Sequence, residues 1–560
     1  MAAAAASRSG HVVVLGAGIS GLTAAWCLRQ LAGPALKISV LEKAPRTGGW
    51  IHTERSEKHG FLFERGPRGF RPSGSGIEAL RLIDELGLAD QAIGTDPKSS
   101  DRWLWLDGQL QALPNGFGSL LTTNIGTNIL KAVVREPFQS RRSSFTDEDD
   151  ESVHSFVERR FGPFVADKMM DAMIGGIFAG DSKSLSVRSC FPILWELERD
   201  HGSIVLGMAK SSFLSALGRG SDDAAATPLS AACDKLRRSM QVSFVGGMDK
   251  ITKDLTRRLV DDPNTDVIVD CDIQNIVSEP TKNVVRVAVG GGRGLSKGDN
   301  KSTNDFNAGD IHASHVISTI SATQLGHAIE PQTNDNEQSL AADAASALKG
   351  IAKATSVAVV NVAFDGSQLA QRGFGHLVPS CEAEPALGVV WDSSVFPQNN
   401  VAGNDDETRV TVMMGGEHEH MAHLLKKSSS TGQYNNTIIE KTAVEIVRPH
   451  RLKHCLPSTE LFVLFSDACV HRMQVSRHLN IEDAPAETRT GVAEGCIPQY
   501  TLGHRQRVSA AEEIVGRWSN GNLTFIGTSF YGLSPLAVSL VCHVRQQCRD
   551  LLILSSPRML

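Results

Sequence analysis

The hydrophobic pattern of the first forty residues changes period twice. Val12-Val13-Val14-Leu15 is an unbroken apolar run closed by glycine, the pattern of a parallel strand buried on both faces. From 19 to 31 apolar residues recur at helical spacing, with no charge before Arg29. Residues 37–42 alternate and end on Glu42, which predicts a second strand and completes a βαβ unit of about 30 residues. Further strands are predicted at 267–269, 284–289, 315–320, 356–364 and 409–414. The span 153–208 reads as mostly helical. Just before it, 113–134 is apolar and nearly uncharged, with Lys131 its only basic residue. Five polar, low-complexity stretches (139–152, 218–227, 290–310, 401–408 and 426–436) read as surface insertions rather than core.

Composition adds bounds rather than chemistry. A chain of 560 residues is too long for one simple core and predicts two or three domains. The formal net charge of −6 gives no reason to expect nucleic acid as a partner. The ten cysteines form no CxxC pair and no metal-ligand spacing, so they read as reduced packing residues and no metal is expected. Residues 1–10 are too short for a secretory signal and make a poor transit peptide, so any organelle address is expected inside the folded domain. No window reaches the roughly 18 apolar residues that a spanning helix needs. The best, 525–541, is broken by Gly527, Gly532 and Pro535, which leaves association with a membrane surface open.

Chemistry enters with Gly16-Ala17-Gly18-Ile19-Ser20-Gly21, a GxGxxG string. Its context makes it specific: it follows a predicted strand directly, opens a predicted helix, and Glu42 ends the next strand 21 residues after Gly21. Gly16 permits the tight turn, Gly18 lets the backbone approach a pyrophosphate, and Gly21 lets helix and strand pack closely. The helix N-terminus offers N–H groups and partial positive charge to the phosphates, and Glu42 offers acceptors to the ribose hydroxyls. Two further loops follow: Arg46-Thr47-Gly48-Gly49-Trp50, and Phe63-Glu64-Arg65-Gly66-Pro67-Arg68-Gly69-Phe70-Arg71-Pro72. Paired glycines allow close backbone approach. Gly-flanked arginines on a stiff loop suit an anionic or electron-rich ligand, and a solvated turn is an equal reading from the residues alone.

These strings carry a resemblance. GGW and GPRGFRP, with RWLW from Arg102, GIFAGD from Gly176, SVRSCFP from Ser186, FVGGM from Phe244, GFGHLVPS from Gly373, RVTVM from Arg409 and CIPQYTLGH from Cys496, stand in the order found in the protoporphyrinogen oxidase family of mitochondrial, animal and fungal type. That family lies within the FAD-dependent amine oxidase and desaturase superfamily. The resemblance implies an α/β fold: a discontinuous Rossmann-like FAD-binding domain (9–90, 236–325 and 495–560), a helical membrane-associated domain (113–235) and an α+β substrate-binding domain (91–112 and 326–494). It implies FAD contacts at Gly16, Ala17, Gly18, Ile19, Ser20, Gly21, Glu42, Lys43, Gly49, Trp50, Gly66, Pro67, Arg68, Gly69, Ile273 and Thr528. Ile273 matches a backbone contact to the adenine. Arg102 stands where the family pairs a basic residue with a substrate propionate, Phe374 and Leu377 match residues that sandwich the macrocycle, and Met413 lines the same cavity. The implied reaction takes hydride equivalents from protoporphyrinogen IX onto the flavin in two-electron steps, with oxygen as acceptor and hydrogen peroxide as product. The flavin carries the chemistry, so no catalytic side chain is nominated. A monotopic place on the mitochondrial inner membrane follows from the same resemblance, and a homodimer is left open.

One segment departs from the family. Gly532-Leu533-Ser534-Pro535-Leu536-Ala537-Val538-Ser539-Leu540-Val541-Cys542 replaces a turn that enters the last helix through an Asn-Asp pair. Those side chains would cap a helix facing the flavin, and Pro535 removes a donor. A second reading therefore stands beside the first: a flavin-poor protein retained for binding porphyrin or partners. Two rival motifs are weak. His418, His420 and His423 lack HExxH spacing, and Gly294-Leu295-Ser296-Lys297-Gly298 matches GxSxG only inside a polar insertion with no helix after it.

Overall fold

The computed structural model describes residues 10–530, apart from 75, 147, 217–227, 297–298, 330–337, 402–406, 419–420, 422–423, 429–431 and 449–477. Strand β1 (His11–Leu15), helix α1 (Ile19–Ala32) and strand β2 (Lys37–Leu41) form the opening βαβ unit. β1 pairs in parallel with β2 on one side and with strand His315–Ser318 on the other. The sheet continues in parallel from β2 to Thr265–Val269 and from His315–Ser318 to Leu523–Phe525. The chain order therefore reverses at β1, which places a crevice at the carboxyl ends of β1 and His315–Ser318.

The unbroken apolar run of β1 is used on both faces. Val12 and Val14 pack beneath α1 and helices Gly76–Glu85 and Asp249–Asp261. Val13 and Leu15 face a second core built with Ala322–Ile329 and His504–Trp518. Each fully buried aliphatic side chain there contributes about 1.5–3 kcal/mol. The polar stretch 290–310 is not a loose insertion. Gly292–Ser296 and Asp299–Phe306 form an antiparallel hairpin that extends the large sheet beside Thr265–Val269. An edge hairpin with a solvated face needs no apolar run, so its polarity hid it. Ser296 ends the inner strand of that hairpin and does not stand at a strand-to-helix elbow.

A second seven-stranded sheet runs in the order Glu487–Pro498, Ala354–Phe364, Thr408–Gly415, Gly388–Val390, Gly375–Leu377, Arg102–Leu106, Gln109–Ala112. Its pairs are antiparallel except Gly375–Leu377 with Arg102–Leu106. Helices from Phe117–Thr122 to Ile204–Ala216 form a separate block around Phe156, Ile174, Phe178 and Trp195. An ion cluster lies inside it: Arg160 pairs with Glu136 and Glu198, and all three side chains are fully buried. Among the described residues no helix is long and apolar enough to cross a membrane. His420, His423 and the altered segment 532–542 lie outside the described residues.

Candidate functional site

The GxGxxG turn sits at the crevice that the strand order creates. Gly16 has φ +94°, a conformation that side chains resist, and its N–H donates to Leu41 O at 2.7 Å. A Cβ on Gly21 would overlap the Gly16 carbonyl, so helix and turn touch only because position 21 has no side chain. At Gly18, by contrast, a Cβ would meet nothing closer than Gly49 Cα at 3.9 Å. That open side leaves room for a ligand to approach the backbone. Gly18 is the N-cap of α1, no side chain caps the helix, and no acid lies in its first turn. Ile19 and Ser20 begin the helix, so their amides remain for an anionic ligand.

Glu42 ties this turn to its neighbours. Its Oε2 accepts from Ala17 N–H at 2.7 Å and its Oε1 from Ala44 N–H at 2.9 Å. A carboxylate has about four lone-pair sites, so acceptor capacity remains for ribose hydroxyls. Cys271 N–H donates to Glu42 O and Asp270 N–H to Ala44 O, at 2.8 and 3.1 Å. These bonds bring Ile273, at the start of strand Ile273–Glu279, to the same edge. The Lys43 ammonium pairs with Asp272 at 2.9 Å across this join.

The second and third loops close around the first. Gly48 N–H donates to Ala17 O at 2.8 Å. Arg46 wraps its own loop, donating to Thr47 O at 3.0 Å and Gly49 O at 2.8 Å. Trp50 is 53% exposed, and its carbonyl lies where a Cβ on Gly66 would fall. Pro67 follows, half-buried, and Gly69 packs against the Val242 carbonyl. The Arg68 guanidinium is committed within the protein, donating from Nη1 to Asp392 at 2.9 Å. Asp392 accepts in turn from Thr411 Oγ1 at 2.5 Å, and Asn361 joins Thr411 to the Glu64 carbonyl. Arg68 thus straps the loop to the second sheet.

Glu64, Thr53, Asn361 and Asp392 escape sequence reasoning. Glu64 is buried and accepts from Met248 N–H at 2.7 Å and Thr53 Oγ1 at 2.8 Å. Burial pushes its carboxyl up to about 7, against the pull of those hydrogen bonds and of Arg68. The available signal was an acid ending the buried run Phe61-Leu62-Phe63. Thr319 was also missed: its Oγ1 donates to Leu15 O at 2.7 Å and packs over Gly16. Beside it, Ile526 N–H donates to Ser318 O at 2.8 Å and leads into the turn bearing Thr528. That turn lies along the same crevice.

The second sheet brings substrate-expected residues onto one face. Arg102 is in register with Gly375, Leu377 with Leu104 and Gly388, and Gly388 with Met413. Directly opposed and alternate residues share a face, so Arg102, Leu377 and Met413 line up across four neighbouring strands. Helix Asp171–Phe178 covers this face, with Leu377 against Gly176. Among the described residues the exposed Arg102 guanidinium makes no ion pair. Phe374 lies just outside the strand, half-buried, its N–H donating to Asp101 O at 2.8 Å. The opposite face is core: His376 and His478 share a 2.8 Å hydrogen bond beside Trp105 and Trp391.

Comparison with known proteins agrees with this layout. Residues 19–431 match the family of flavin containing amine oxidoreductases. The chain is 34% identical over 529 residues to human protoporphyrinogen oxidase, covering 93% of this chain and 94% of that one. It is 28% identical over 548 residues to the protoporphyrinogen oxidase of Schizosaccharomyces pombe, covering 93% and 95%. The crystal structure of an Exiguobacterium sp. protein superposes with a TM-score of 0.66 at 19% identity, over 98% of this chain and 100% of that one, which speaks to the fold. The residues around Gly18 and Glu42 fit a dinucleotide-type flavin, and the chain belongs to the flavin containing amine oxidoreductases and, within them, to the protoporphyrinogen oxidase family.

Proposed function

We propose that this chain is an FAD-dependent oxidase that converts protoporphyrinogen IX to protoporphyrin IX in haem biosynthesis, with oxygen as acceptor. The observation that carries the reading is the face holding Arg102, Leu377 and Met413: a guanidinium with no ion pair among the described residues, beside apolar side chains, suits a flat apolar macrocycle bearing carboxylates. Relatives named protoporphyrinogen oxidase support it. When bound, the flavin supplies the two-electron oxidation. Arg102 orients the substrate through a propionate, while Phe374, Leu377 and Met413 hold the ring and exclude water. Gly16–Gly21, Glu42, Lys43, Gly49, Trp50, Gly66–Gly69, Ile273 and Thr528 hold FAD, Ile273 and Lys43 through the backbone. The discontinuous first sheet is the FAD domain, the second sheet the substrate domain.

The helical block supports a place on a membrane surface, and the family resemblance makes that surface the mitochondrial inner membrane. It exposes Leu121, Val134, Phe138, Ile193, Leu206 and Met208, with Phe138 at 86%. Such a concentration of large apolar side chains is unusual on a solvated surface.

The purified protein's visible spectrum, followed by porphyrin fluorescence after adding protoporphyrinogen IX under air, tests the reading. Stoichiometric flavin and porphyrin formation above autoxidation are expected. Colourless protein that takes up no FAD on reconstitution would favour the flavin-poor alternative and sink this one.

A further inference from the structure

Tyr500 stands where three parts of the molecule meet. It follows strand Glu487–Pro498 of the second sheet, its carbonyl accepts from Ser186 N–H of the helical block at 2.8 Å, and its hydroxyl donates to the Thr528 carbonyl. Its ring is fully buried, edge-on to Phe178 of the helical block. The adjoining Gln499 fastens the same join, its Nε2 donating to Phe178 O at 2.8 Å. Thr528 belongs to the turn that leaves Leu523–Phe525 along the crevice at the carboxyl end of the parallel sheet.

His504 holds the other end of that turn. Its ring stacks on Tyr500 with centroids 4.3 Å apart and planes 25° from parallel. Nε2 lies 3.2 Å from Phe530 O, and Nδ1 3.4 Å from Ile351 O. Ile351 O already accepts from Arg507 Nε at 3.0 Å. Burial keeps the ring neutral, so it carries one N–H, and the shorter contact assigns that proton to Nε2 and Phe530. Two buried donors, one phenol and one imidazole, thus grip the carbonyls of Thr528 and Phe530 from one side.

We propose that Tyr500 and His504 are positioning residues for the flavin: together they set the Thr528–Phe530 turn and couple it to the substrate sheet and the helical block. The inference rests on the flavin reading above. Neither residue touches the substrate face, so their effect falls on cofactor affinity and on the flavin's electronic surroundings, not on substrate binding. Because the hydroxyl and imidazole are buried, removing either donor takes away one of the two side-chain bonds that hold the turn, and roughly tenfold weaker FAD binding is expected from each.

The test compares full-length wild-type protein with Tyr500→Phe and His504→Leu, each of which removes the donor. It measures FAD dissociation by flavin fluorescence, the flavin reduction potential, thermal unfolding of the flavin-free proteins, and KM and kcat. The proposal expects weaker FAD binding and a shifted potential in both variants, with KM unchanged and any fall in the flavin-free unfolding midpoint too small to account for the lost affinity. Wild-type FAD affinity and potential in both variants would overturn it. So would a fall in flavin-free stability that fully accounts for the lost affinity, since that marks a purely structural role. Wild-type protein that binds no FAD at all would instead bring down the flavin reading itself.

Discussion

At the scale of single residues, the three glycines of the first turn have different jobs, and substitution separates them. Gly18 has φ −70°, so a methyl there fits the backbone and projects into the open cradle. Gly18→Ala should leave the flavin-free protein as stable as wild type while weakening FAD binding at least tenfold. Gly21→Ala drives a methyl into the Gly16 carbonyl and should cost about 1–3 kcal/mol of stability before any cofactor is added. Denaturant unfolding of the apo-proteins beside flavin titration distinguishes the two. If Gly18→Ala binds FAD normally, the cradle is not the pyrophosphate site. Arg102 invites the complementary experiment on substrate. Arg102→Ala should raise KM at least tenfold with a smaller change in kcat, because it removes a group that binds a peripheral carboxylate. Arg102→Lys should recover part of the loss; an unchanged KM in Arg102→Ala would remove it from the substrate site.

At the scale of elements, what could be read in the sequence was local. β1, α1 and β2 declared themselves by period, and the glycines by their offset from a strand end. What could not be read was joined across long separations: Arg68 meets Asp392 across 324 residues, and Asn361 meets the Glu64 carbonyl across 297. A guanidinium between glycines looks like a ligand group until its partner is known. The hairpin within 290–310 was missed for the opposite reason, since a solvated edge carries no apolar signal. The helical block holds another hidden join. Arg160 donates to Glu136 and to the Gln139 and Gly202 carbonyls, while Glu136 also accepts from Ser203 Oγ at 2.5 Å and Ile204 N–H at 2.9 Å. Burial raises the Glu136 carboxyl's pKa, but these donors outweigh it and hold the value below the usual range. Arg160→Ala would strand the Glu136 charge in the core, while Glu198 keeps Arg159 at 2.8 Å, and should destabilise the block by about 3–5 kcal/mol. Limited proteolysis should then cut within 136–204 well before the parallel sheet; equal resistance would show that the network contributes little.

For the whole molecule, buried titratable groups in different parts predict one pH response with opposing contributions. Burial holds His315 of the parallel sheet at about 4, His376 of the second sheet at about 3 and His504 at about 4; His478 is held low by burial and by its neighbour His376. Unfolded, each would titrate near 6.5. Their contribution to stability is therefore complete above about pH 6.5 and is lost as pH falls below it, by about 1.4 kcal/mol per histidine at one unit below. Glu64 acts in reverse. Its folded value near 7 exceeds the unfolded carboxyl value, so the stability it contributes is present at acid pH and lost as pH rises through 7. Between pH 7.5 and 5.5 four histidines oppose one carboxyl, and the histidines win. Guanidinium unfolding of the flavin-free protein should give a lower midpoint at pH 5.5 than at 7.5. Glu64→Gln removes the compensation and should widen that gap by about 2 kcal/mol. A midpoint that holds steady or rises on acidification would mean that these imidazoles reach water, and that the core of the second sheet around His376 and His478 is far looser than their packing requires.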